Sequence, residues 1–117
     1  MSILRNLLGG SVPTIDVQEL QQKLAEDSQP YLLDVREPAE FRQYRIAGAN
    51  LIPLGELSGR LDELPRDREI VCICATGERS VTAVRQLADA GYKAVSLRDG
   101  MIAWFKARRP ILRGPME

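Results

Sequence analysis

Short apolar runs alternate with helical repeats along this chain, and the alternation predicts its elements in order. Val12 to Ile15 reads as a brief first strand. Asp16 follows as an N-cap, with Glu19 three positions on to close a capping box. Val17, Leu20 and Leu24 then recur at helical spacing to about Glu26. Ser28-Gln29-Pro30 breaks this helix, and Tyr31-Leu32-Leu33-Asp34-Val35 reads as a compact buried strand ending in charge. Pro38 in a first turn predicts a short helix through Tyr44. Ala47 to Pro53 reads as a turn and a third strand, and Glu56 to Leu64 as a helix or turn closed by Pro65. Glu69 to Cys74 is the most apolar run and is placed at the sheet centre. From Arg79 to Ala90 a helix is expected with Val84, Leu87 and Ala88 on one face, stopped by a left-handed Gly91. Lys93 to Leu97 reads as a last strand and Gly100 to Lys106 as a last helix. Trp104, Ile102 and Phe105 are expected as core or as a hydrophobic seal. Strands alternating with helices in this order predict an α/β domain with a mainly parallel sheet.

Composition narrows the function classes. A chain of 117 residues suits one domain and can bury a core without disulfide or metal staples. The expected organisation is a surface-lying or flexible segment over 1–11, a domain over 12–107 and a tail over 108–117. Sixteen basic residues balance sixteen acidic ones, so no nucleic-acid or acidic-membrane partner is indicated. The opening ten residues hold no apolar run longer than two, too short for a signal-peptide core or a membrane span, and a cytoplasmic protein is expected. There is no histidine, which removes Ser-His-Asp triads, Cys-His dyads and the HExxH helix. Two cysteines without histidine do not make a structural zinc site, and neither metal nor cofactor is expected.

Chemistry concentrates in Cys74-Ala75-Thr76-Gly77-Glu78-Arg79-Ser80. The segment leaves the central strand and opens a helix. Ligands of parallel sheets bind beyond the carboxyl ends of strands. A tight loop feeding a helix N-terminus gathers backbone N–H groups into an anion-favouring concavity, and Gly77 has the freedom such a turn requires. A thiol held there is drawn toward thiolate, with Arg79 as a further positive charge and Glu78 expected to turn to solvent. Without imidazole, activation has to be electrostatic. The same concavity suits a persulfide anion, so sulfur transfer is the natural chemistry. The plainer alternative is an inert buried cysteine.

The loop resembles the active-site loop of the rhodanese family, in which a cysteine opens a six-residue loop before a helix. Asp34-Val35-Arg36-Glu37 with Glu40-Phe41, Ile46-Ala47-Gly48-Ala49 with Ile52-Pro53-Leu54, and Leu97-Arg98-Asp99-Gly100-Met101 with Ala103-Trp104 match the family's pattern in its order. The resemblance implies a five-stranded, mainly parallel sheet flanked by helices, with Cys74 as persulfide carrier in a thiosulfate:cyanide type of sulfurtransferase. The loop Ala75, Thr76, Gly77, Glu78, Arg79 and Ser80 would bind the anion. It also implies small sulfur donors, with thiols, cyanide or a sulfur-relay protein as acceptors. Two positions depart from the pattern: Arg45 stands where a histidine is common, and Asp99 replaces one glycine of a Gly-Gly pair.

Other residues admit two readings each. Cys72 shares a strand face with Cys74 and is either an inert thiol or a resolving one. Asp34 and Arg36 end the second strand at the site edge, as a structural ion pair or as secondary anion contacts. Two rival functions remain at this level. A cysteine phosphatase would place arginine six positions after the cysteine, where Ser80 stands here, so the loop is narrower. A non-catalytic binding module would use the fold alone.

Overall fold

The computed structural model describes residues 12–115. Its strands are β1 (Thr14–Ile15), β2 (Tyr31–Asp34), β3 (Asn50–Leu51), β4 (Ile70–Ile73) and β5 (Ala94–Leu97). Its helices are α1 (Val17–Leu24), α2 (Pro38–Gln43), α3 (Leu54–Leu57), α4 (Glu78–Asp89) and α5 (Gly100–Lys106), with one 3-10 turn at Leu61–Glu63. The segment 1–11 expected to lie on the surface falls outside the described residues.

All four pairings among these strands are parallel, in the order β1-β5-β4-β2-β3, which bears out the expected five-stranded parallel sheet. Every residue of β4 is buried, as a central strand covered on both faces requires. Leu33, Val35, Ile70, Cys72 and Cys74 pack on one face against Leu57 of α3 and Val84 and Leu87 of α4. Leu32, Val71, Ile73, Val95 and Leu97 pack on the other against Leu20 of α1 and Met101 and Trp104 of α5.

Local signals formed as the sequence predicts. Asp16 and Glu19 exchange capping bonds of 2.8 and 2.9 Å at the start of α1. Gly91 takes φ +90 after α4. The expected segment Glu56 to Leu64 divides into α3, beginning at Leu54, and the 3-10 turn. Two burial expectations are corrected. Ala83, not Ala88, completes the buried face of α4, because the sheet lies toward the helix side shared by Ser80, Ala83, Val84 and Leu87. Trp104 is buried, but Ile102 and Phe105 are 44% and 49% exposed, since a seven-residue helix lying on the sheet buries only one stripe.

The tail returns to the body. Leu112 bridges Arg45 antiparallel, Trp104 Nε1 donates to the Pro110 carbonyl at 2.9 Å, and Arg45 Nη1 donates to the Gly114 carbonyl at 2.9 Å. Arg45, the residue at the family's histidine position, therefore clasps the tail. Among the described residues no helix is long and apolar enough to cross a membrane.

Candidate active site

β4 delivers Cys74 to the carboxyl edge of the sheet, between the ends of β2 and β5. Three residues later Gly77 turns the chain with φ +107 and becomes the N-cap of α4. A Cβ at Gly77 would stand 3.2 Å from the Asp99 amide nitrogen, so both backbone conformation and space require glycine. The turn folds α4's first turn back over the cysteine. Cys74 Sγ accepts the amides of Gly77 at 3.1 Å and Ser80 at 3.2 Å. Of the loop residues named from sequence, these two bring their N–H groups to the sulfur. Ala75 and Thr76 form the turn, with Thr76 exposed.

Ser80 is fully buried behind the sulfur, its hydroxyl 3.4 Å from Sγ. That hydroxyl donates to the Gly77 carbonyl at 3.2 Å and lies 2.7 Å from the hydroxyl of Ser96. Ser96 was not singled out from sequence. The available signal was a hydroxyl inside the otherwise apolar run Ala94-Val95-Ser96-Leu97, which calls for a partner when buried.

The start of α5 supports the loop from the other side. Met101 N and Ile102 N donate to the carbonyls of Cys74 and Ala75 at 2.8 and 3.0 Å. Gly100, at φ +57, lies so close that an added Cβ would run into the Cys74 carbonyl oxygen and stand 2.7 Å from that of Ala75. Gly100→Ala is therefore expected to cost about 2–4 kcal/mol and to push the loop off the sulfur. Urea unfolding and the rate of Cys74 alkylation would report the two effects separately.

The charged side chains of the loop make their hydrogen bonds away from the sulfur. Glu78 is exposed, as expected, and its Oε1 accepts the Thr76 hydroxyl at 2.7 Å. Arg79 turns away to Glu40 on α2 in a two-pronged pair, both contacts 2.8 Å. Its positive charge is thereby matched by a carboxylate. Glu40 had appeared in the sequence only as part of a family match. The hydrogen bond from Arg79, opposed by burial and helped by the Glu37 amide, lowers the Glu40 carboxyl to about 2. A depressed carboxyl contributes stability above its unfolded value, near 4.5, and loses it as pH falls toward 2. With the carboxylate a third exposed, the contribution is about 1 kcal/mol. Thermal melts of wild type and Glu40→Gln should differ at neutral pH and converge in strong acid.

Asp34 and Arg36 form a buried bidentate pair, 0% and 2% exposed, with Nη2 to Oδ2 at 2.7 Å and Nε to Oδ1 at 2.9 Å. Arg36 further donates to the carbonyls of Glu40 at 3.3 Å and Tyr44 at 2.8 Å. Its guanidinium is committed to the protein's own acceptors. Cys72 and Cys74 are both free thiols on one sheet face, and burial, followed by the neighbouring Cys74, pushes the Cys72 thiol up.

A parallel five-stranded sheet whose central strand ends in a cysteine, with a helix N-terminus folded onto its sulfur, defines the class to which this molecule belongs. A sequence profile of the rhodanese-like domain matches residues 16–107, and the chain belongs to that family. It is 38% identical over 102 residues to a sulfurtransferase of Allochromatium vinosum, covering 86% of this chain and 95% of that protein. The crystal structure of a rhodanese-related protein from Thermoplasma volcanium superposes with a TM-score of 0.81 at 32% identity, covering 86% of this chain and 98% of that one. A thiosulfate sulfurtransferase from Pseudomonas aeruginosa superposes with a TM-score of 0.82 at 28% identity, covering 91% of this chain and 21% of that one.

Proposed function

We propose that the protein is a sulfurtransferase that carries a sulfane sulfur on Cys74. The observation that carries this reading is the pair of amides, from Gly77 and Ser80, directed at Sγ from the N-terminus of α4. Backbone donors and the positive end of a helix favour an anion at that place. The similarity to a sulfurtransferase of Allochromatium vinosum supports the same chemistry.

The Cys74 thiolate attacks the outer sulfur of the donor. With thiosulfate, the S–S bond of the donor breaks, a new S–S bond forms on Cys74 and sulfite leaves with the electron pair. With a persulfide donor, a thiolate leaves instead. An acceptor nucleophile, whether cyanide, a thiol or the nucleophile of a relay protein, then takes the outer sulfur and returns the thiolate. Ser80 fits this cycle because its hydroxyl can rotate between the Gly77 carbonyl and the sulfur as charge on the sulfur changes, with Ser96 satisfying it meanwhile. Cys74 is fully covered, so each transfer is coupled to a small opening of the loop beside exposed Thr76 and Glu78. Arg79, held by Glu40, is not free to grip a phosphate, which disfavours phosphatase chemistry.

The test is intact mass of the reduced full chain after incubation with thiosulfate or with glutathione persulfide. One added sulfur, absent from Cys74→Ser and removed by cyanide or a thiol, is the expected result. No added sulfur from either donor would leave a binding domain with an idle cysteine.

A further inference from the structure

Because β4 lies between β2 and β5, the loops after these three strands surround Cys74. Counted through the first turn of the helix that follows, their charged residues are Arg36, Glu37 and Glu40 after β2, Glu78 and Arg79 after β4, and Arg98 and Asp99 after β5. Two of the three cations are held by carboxylates. Arg36 is buried on Asp34, and Arg79 is paired with Glu40. Arg98, exposed, keeps its charge but carries it back to the Thr14 hydroxyl on the edge strand, at 2.9 Å, so that the exposed carboxylates outnumber it. Glu37, Glu78 and Asp99 are exposed, and Glu78 is held against the loop by Thr76. Asp99 stands in a left-handed conformation, φ 61, with its backbone against Gly77. The loop therefore offers an anion backbone amides while its rim offers carboxylates.

Resting on the carrier reading above, we infer that this rim selects singly charged sulfane-sulfur donors over doubly charged thiosulfate, and that Glu78 is a specificity-determining residue. The loop amides attract either donor. Each rim carboxylate repels the dianion by one charge more than the monoanion. For an exposed pair some 4 Å apart in water, that extra charge is worth about a fivefold change in rate. Salt should relieve the repulsion, most for the dianion.

Two probes with the same sulfur–sulfonyl linkage isolate charge: thiosulfate and the methanethiosulfonate anion. In both, the Cys74 thiolate takes the outer sulfur, forming one S–S bond as another breaks. Sulfite leaves from the first donor and methanesulfinate from the second. Loading rates by intact mass would be compared at low and high ionic strength for wild type, Glu78→Gln and Glu78→Gln/Asp99→Asn. The diagnostic is the change in the ratio of the two rates, which cancels the donors' intrinsic reactivities. Glu78→Gln should raise thiosulfate loading relative to methanethiosulfonate about fivefold, the double variant further, and salt should mimic the substitutions in wild type. Loading of Cys74 by both donors with a ratio indifferent to substitution and salt would overturn the inference and leave the carrier reading intact. Loading by neither probe while glutathione persulfide still adds a sulfur would overturn the inference alone, and failure of all three donors would overturn the carrier reading itself.

Discussion

A Cys74→Ser variant is expected to lose sulfur transfer by about a thousandfold or more while remaining folded. The serine hydroxyl would occupy nearly the same place and could accept the amides of Gly77 and Ser80. It is not ionised at neutral pH, is a far weaker nucleophile, and cannot hold sulfur as a persulfide. The informative control is Cys72→Ala. That thiol lies in the core beside Leu33 and Val84, where burial keeps it protonated. Its removal should cost about 1 kcal/mol of stability through a small cavity and leave turnover within about twofold. Thiocyanate formation from a sulfur donor and cyanide, measured beside urea unfolding, separates the two outcomes. Transfer that survived in Cys74→Ser and vanished in Cys72→Ala would move the chemistry to the other thiol.

Asp34→Ala should produce the largest loss of stability among exchanges outside the sulfur loop, about 3–5 kcal/mol. The carboxylate accepts both prongs of Arg36, and neither side chain reaches solvent. Removing it leaves a buried guanidinium with only the carbonyls of Glu40 and Tyr44 to satisfy it. The damage should spread, because Arg36 fastens the carbonyl of the residue whose side chain holds Arg79 at the start of α4. Pairing the change with Arg36→Met should recover much of the loss, since two apolar side chains leave no uncompensated charge. Chemical denaturation of the single and double variants measures both quantities. A single variant within about 1 kcal/mol of wild type would mean that Arg36 finds water, and the pair would then be no structural keystone.

The elements most readable in the chain are those built from near neighbours. The capping box at Asp16 and Glu19 spans one helical turn, and Gly91 stops α4 by its own backbone freedom. β4 is recognisable because a strand covered on both faces has no polar side to alternate with. The cysteine loop is readable for the same local reason: strand, turn and helix follow each other within seven residues. Helix faces were less secure. Ala88 and Ala83 are equally small, and only the position of the sheet decides that Ala83 is buried.

What stayed hidden joins residues distant in sequence. Ser96 meets Ser80 sixteen positions away, Arg79 meets Glu40 across thirty-nine, and Arg45 meets the Gly114 carbonyl across sixty-nine. No periodicity links such pairs. The sequence alone determined an α/β order of elements, a central apolar strand and a cysteine at the mouth of a helix, because torsional preference and burial period act over a few residues. Tertiary structure decided where the charges of Arg36 and Arg79 go and what lies behind the sulfur. Those outcomes depend on which strand ends become neighbours, and a parallel sheet makes neighbours of segments that the chain itself keeps apart.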